Sequence, residues 1–106
     1  MIARMWRGWA PVETAESYRR HYESEVADHL AGVPGFRGAR LLSRTDGDEV
    51  AFTSLTFFES MDAVAGFAGA EPGRAVVEEA ARAVLSRWDE EVTHHEVAVD
   101  LQQRLS

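Results

Sequence analysis

Two stretches of the chain alternate with a period near two and meet across a short polar turn. Gly35 to Leu42 and Glu49 to Phe58 flank Thr45-Asp46-Gly47-Asp48, and Asp-Gly at the centre of such a turn tolerates positive φ at low cost. The pair predicts a β-hairpin. Beyond Phe58 the period lengthens to three or four, and Ser60 is placed to cap a helix that runs to about Ala68. Upstream, Ala15, Tyr18, Tyr22, Val26, Leu30 and Val33 form one helical stripe between Glu13 and Val33, which Gly32 and Pro34 terminate. Ile2 to Trp9 predicts a first strand, and Val92 to Val99 a last one. Between Arg74 and Trp88 the positions Val77, Ala81, Val84, Leu85 and Trp88 predict a further helix.

The resulting order, β-α-β-β-α-(α)-β, describes an α+β, ferredoxin-like fold with an antiparallel sheet and helices on one face. Residues 1–100 make a single domain and residues 101–106 a polar C-terminal tail. In the third strand Val50, Phe52 and Phe58 point one way while Ala51, Leu55 and Phe57 point the other. A sheet with one wet face alternates more cleanly. The expected cover for the bare face is a second copy of the chain, giving a homodimer in which two sheets face each other as a dimeric α/β barrel. Covering several hundred Å² per subunit is worth on the order of 10 kcal/mol before association costs.

Composition narrows the function. A length of 106 residues leaves no room for a second catalytic domain. The net charge of −7 opposes a phosphate backbone, so nucleic acid is not an expected partner. No apolar run reaches the ~18 residues of a membrane helix, and Met1 to Arg7 lacks the features of a signal peptide, so a cytoplasmic protein is expected. Cysteine is absent, which excludes thiolate catalysis and cysteine metal sites. There is also no Gly-rich phosphate loop or nucleophile motif. No metal is expected: Asp89-Glu90-Glu91 reads as a solvated turn, and His94 with Glu96 lacks a third ligand.

Met1 to Gly8, the helix exit Val33-Pro34-Gly35-Phe36-Arg37-Gly38, the boundary Phe58-Glu59-Ser60 with Phe67-Ala68-Gly69 after it, and Val92 to Val97 resemble the antibiotic biosynthesis monooxygenase family of dimeric α/β barrels. The resemblance spans nearly the whole chain and is specific for the fold rather than the reaction. The family includes cofactor-free oxygenases of polyketide anthrones and quinols as well as haem-degrading enzymes, and fold does not fix function. Haem-degrading relatives carry a tryptophan in the helix after the third strand and an iron-ligating histidine about nine residues on. Here Phe67 holds the first position and Val76-Val77 the second, so no haem and no other cofactor is expected.

The resemblance implies a small monooxygenase-like enzyme that works without cofactor on an electron-rich polycyclic aromatic of anthrone or quinol type. Such a substrate, once deprotonated, can donate an electron to O₂ itself. The protein then supplies a base, His95 or His94, and a cation for the phenolate from among Arg7, Arg4 and Arg40. Trp6, Tyr22 and Phe67 supply aromatic walls, with His21 beside Tyr22 at the mouth. Adjacent strand residues face opposite ways, so only one of the two histidines faces the pocket. Pairing the more apolar strand faces puts Met5, Arg7, His95 and Val97 under the helices. The resemblance places the pocket there, which makes Arg7 and His95 its residues and turns His94 toward the other subunit. Against each role stands a plainer one, a structural hydrogen bond for the histidines and core packing for the aromatics. The alternatives in function are a non-catalytic barrel that binds a small hydrophobic ligand, and a cofactor-free cyclase or isomerase using the same pocket.

Overall fold

The structure, a computed structural model, describes residues 1–102; the last four positions of the expected tail lie outside the described residues. Strand β1 (Ile2–Pro11) leads into helix α1 (Val12–His21), which passes through a π-helical turn (Tyr22–Val26) into α2 (Ala27–Ala31). The hairpin is β2 (Phe36–Asp46) and β3 (Glu49–Phe58), followed by α3 (Met61–Ala68), the single turn α4 (Glu79–Arg82), β4 (Arg87–Trp88) and β5 (Thr93–Glu96). This is the ferredoxin-like α+β fold. Its antiparallel sheet runs β2-β3-β1-β4, and β5 pairs with the same edge of β1 as β4.

The hairpin closes with Asp46 opposite Glu49. Its two-residue loop has positive φ at Gly47 alone, 65°, the pattern of a II′ turn, whose twist matches that of the strands. Helix α3 begins where Ser60 Oγ accepts from the Ala63 N–H at 3.3 Å, the expected cap. The first helix starts at Pro11, and its Val12 N–H donates to the Asp48 carbonyl at 3.0 Å, which ties the helix start to the hairpin loop.

Two expected elements differ. Of the helix expected from Arg74 to Trp88 only one turn forms, and Trp88 lies in β4. The reason is competition for backbone groups. Ala75 N–H donates to Glu90 O and Val92 N–H to Gly73 O, both at 2.9 Å, while Ser86 and Asp89 N–H groups donate to the Trp9 and Arg7 carbonyls. Once those groups serve the sheet and its loops they cannot serve a helix, and the weak preference of a mixed segment yields. The expected final strand is shorter, Thr93–Glu96, and the end of the expected helix becomes β4, so the sheet has five strands rather than four.

The buried core lies between the sheet and the helices in two clusters. Ala10, Tyr18, Phe52, Ala81 and Leu85 form the first; Leu30, Phe58 and Val64 form the second. Phe52 and Phe58 thus share the helix-covered face of β3, as expected, with Thr56 buried between them. The register pairs Arg4 with Thr56, Gly8 with Phe52 and Ala10 with Val50. The helix-covered face of β1 is consequently Ile2, Arg4, Trp6, Gly8 and Ala10. Met5 and Arg7 lie on the opposite face, and His95, opposite Ala3, lies there with them. The expected parity of β1 and of the last strand is inverted. Apolar count misled it because Met5 and Trp9 enrich the outer face, while a charged residue, Arg4, occupies the inner one.

Candidate active site

Between sheet and helices, where the two core clusters meet, lies a cleft with an empty volume of about 730 Å³, open solvent at its mouth included. Strand β1 contributes Arg4 and Trp6; the long helix contributes Tyr18, His21, Tyr22 and His29; Ser54, Phe67, Val77 and Glu78 are among the residues that complete it. Four residues of an α-helix turn past a full circle by about 40°, so a stripe of Tyr18, Tyr22, Val26 and Leu30 would drift around an unbroken helix. The wider π turn at Tyr22–Val26 under-rotates and brings the stripe back over the sheet. All four line the cleft.

Trp6 is held flat against its own strand. A Cβ at Gly8 would stand 2.8 Å from the Trp6 ring, so only glycine leaves that space. The indole N–H donates to the Asp89 carbonyl at 2.6 Å. The Asp89 carbonyl thereby fixes an aromatic wall, while its carboxylate pairs with the Arg7 guanidinium at 3.0 Å on the far side of the sheet.

The chemical centre of the cleft is Arg4. It is 5% exposed, and its guanidinium donates to the Pro72 carbonyl at 2.6 Å and the Arg74 carbonyl at 3.1 Å. No carboxylate pairs with it among the described residues. Burial lowers its pKa to about 10, so it remains a cation at neutral pH without a counter-ion. Its third contact is His94 Nε2, 3.0 Å away. A guanidinium only donates, so Nε2 accepts and the proton of His94 sits on Nδ1. Burial first, then the charges of Arg4 and His95, hold His94 below the ordinary histidine pKa. The basic nitrogen of His94 is thereby occupied.

Of the candidate residues from the sequence, Trp6, Tyr22 and Phe67 come together in the cleft, and His94 stands behind Arg4. Arg7, Arg40 and His95 do not join them. Arg40 pairs with Leu55 on the outer face; Arg7 stacks on Trp9 at 5.5 Å; the exposed His95 meets Thr93 at 2.9 Å. Tyr18 received only a packing role from the sequence, yet its ring packs on Phe52 at 4.8 Å and burial, with a smaller push from Tyr22, raises its hydroxyl pKa. That hydroxyl stays protonated and able to donate. Tyr22 reaches Ser54 Oγ at 3.4 Å, and His29 sets its ring edge against Phe67 at 5.2 Å. Nothing local in β1 marks Arg4 as inward-facing; its shared parity with Ile2, Gly8 and Ala10 acquires that meaning only from the register with β3.

No family model matches the sequence, and no curated protein sequence matches it. Solved structures do. MhuD, a haem-degrader from Mycobacterium tuberculosis with two haems bound in its active site, aligns with a TM-score of 0.64 at 20% identity over 96% of this chain and 100% of its own. SnoaB, a cofactor-independent oxygenase from Streptomyces nogalater, gives 0.68 at 19% identity over 96% and 97%. The ActVA-Orf6 monooxygenase of Streptomyces coelicolor, in complex with nanaomycin D, gives 0.68 at 17% identity over 97% and 92%. The chain has the fold of the antibiotic biosynthesis monooxygenases. It shares that fold with oxygenases and with a haem-degrader alike, so the side chains must distinguish them. For haem, the segment expected to bring an iron ligand contributes Val76 and Val77 to the cleft, two side chains with no donor atom. That segment therefore supplies no iron ligand to the cleft.

Proposed function

We propose that the chain is a monooxygenase-like enzyme that needs no cofactor and acts on a flat, electron-rich aromatic of anthrone or quinol type. The observation that carries this reading is Arg4, a buried cation without a carboxylate, walled by aromatic rings. Such a site favours the anion of a planar molecule: the charge attracts a phenolate or enolate oxygen, while Trp6, Tyr22 and Phe67 cover the ring faces. Phe67 itself lies 5.6 Å from the Arg4 guanidinium carbon. Once the substrate is an anion, it can pass an electron to O₂. The protein's part is to lower the cost of that anion and to keep water from the carbon that oxygen attacks. The likeness to oxygenases of the same fold supports the reading.

The working unit in this proposal is a cytoplasmic homodimer. The outer sheet face carries Met5, Leu55 and Phe57 half-buried and Leu42 at 47% exposure, a surface suited to a second copy of itself. None of the described helices is long and apolar enough to cross a membrane. The test is oxygen uptake with anthrone as probe, followed by the absorbance of the quinone product. Uptake above the uncatalysed rate, reduced at least tenfold in Arg4→Met, supports the enzyme. Tight binding of a hydroxyanthraquinone with no uptake over the uncatalysed rate makes the barrel a ligand-binding module instead.

A further inference from the structure

With the basic nitrogen of His94 occupied by Arg4 and His95 on the far side of the sheet, the cleft needs another group to take a proton. His21 is the residue the geometry offers. Its side chain is 9% exposed and lines the cleft from the last turn of α1, yet neither ring nitrogen makes a hydrogen bond to a described residue. No side-chain nitrogen of the described residues is both fully buried and without a partner, so the unbonded ring nitrogens of His21 keep access to solvent, and a substrate that enters the cleft can reach them. The Glu78 carboxylate stands 4.0 Å from Nε2, too far for a hydrogen bond but near enough to pair with an imidazolium formed during the reaction. Tyr18, one turn earlier with its ring centroid 6.4 Å from that of His21, is held neutral by burial and does not compete as a base.

We infer that His21 is the catalytic base of the cleft and Glu78 its positioning residue, for a substrate whose acidic C–H or O–H group lies within reach of His21 and whose developing oxyanion lies toward Arg4. The inference rests on the cleft being the aromatic-anion site proposed above. For an anthrone, the C–H bond of the ring methylene breaks and its electron pair spreads onto the ketone oxygen. The proton forms a new N–H bond on His21. A neutral pair thus becomes an enolate beside Arg4 and an imidazolium beside Glu78, and no oxidant takes part in this step.

Because the step needs no oxygen, it can be measured without it. Anaerobic exchange of the methylene hydrogens of anthrone with D₂O, followed by proton NMR, reads proton removal alone, and binding of alizarin reads the integrity of the cleft. The wild-type chain should accelerate exchange, and His21→Gln should lower that acceleration by ~10²–10⁴ while binding alizarin as before. Added imidazole should restore exchange to His21→Ala. Glu78→Gln, at a partly exposed position that does not threaten folding, should slow exchange about fivefold without changing alizarin affinity, and His95→Gln should have no effect. Exchange that survives in a His21→Gln chain still able to bind alizarin overturns the inference. Absence of wild-type exchange alongside rapid oxygen uptake also overturns it, yet leaves the oxygenase reading standing. Exchange that depends on His21 without any oxygen uptake does the reverse.

Discussion

Replacing Arg4 by methionine keeps much of the side-chain volume and removes the one buried cation of the cleft. Two quantities should then change together. At an effective dielectric of ~20, a phenolate oxygen gains ~4 kcal/mol from a cation 4 Å away and ~2 kcal/mol at 8 Å, equivalent to roughly 3 and 1.5 pKa units. No carboxylate of the described residues pairs with Arg4 to cancel that field, and its other partners are neutral carbonyls and a neutral imidazole. The phenol of bound alizarin, whose anion absorbs at longer wavelength, should titrate ~1.5–3 units below its free value in the wild-type chain and close to the free value in Arg4→Met. Stability should move as well. Three charged hydrogen bonds, to the Pro72 and Arg74 carbonyls and to His94 Nε2, at ~1.5–3 kcal/mol each, set a ceiling of ~4.5–9 kcal/mol. Loss of the cation also removes a burial cost already evident in its lowered pKa. The net loss in urea unfolding should be ~1–3 kcal/mol. A bound alizarin pKa that is the same in both proteins refutes the anion site; an Arg4→Met chain as stable as wild type refutes the role of Arg4 as a brace for the 72–74 loop.

Three further outcomes can be checked. Light scattering at micromolar concentration should give twice the chain mass, and Leu42→Glu, on the exposed sheet face, should unfold the chain rather than release a stable monomer; a folded wild-type monomer rules out the barrel. Haemin titration should give no histidine-ligated Soret band, and a band that disappears in His21→Ala would show that the long helix supplies an iron ligand after all. Since the folded pKa of His94 lies below 6.5, the unfolded chain binds the extra proton beneath that pH. The His94 share of stability is therefore complete above about 6.5 and is lost as pH falls through the folded value. His94→Gln should flatten the rise of urea midpoint with pH between the carboxylate value of 4.5 and 6.5, and an unchanged slope contradicts the assignment.

Local chemistry in the sequence determined the hairpin, the Ser60 cap, the run of the first helix, the ferredoxin-like order and the apolar character of both sheet faces. Each rests on neighbours within a few residues: Gly47 for the turn, whose loop is Gly47-Asp48 rather than the expected Asp46-Gly47, Ser60 three residues before the N–H it caps, Tyr18 and Tyr22 on one stripe. Of the aromatic half of the cleft, Tyr22 and Phe67 were legible for the same reason, because long amphipathic side chains on an inward stripe meet whatever that stripe covers; Trp6 was a candidate wall although the expected parity of β1 turned it away from the helices. Strand parity in β1 was not. An alternating strand with apolar residues on both faces has no local signal that says which face the helices take. Only the register with β3, which sets Arg4 opposite Thr56 and Gly8 opposite Phe52, decided it. A buried arginine is costly until carbonyls from a loop nearly seventy positions away satisfy it, and those of Pro72 and Arg74 arrive only when the chain has folded. The same long-range pairing consumed the backbone groups of residues 73–75 and 86–92, shortened the expected helix to one turn, occupied the basic nitrogen of His94 and left that of His21 open to the cleft.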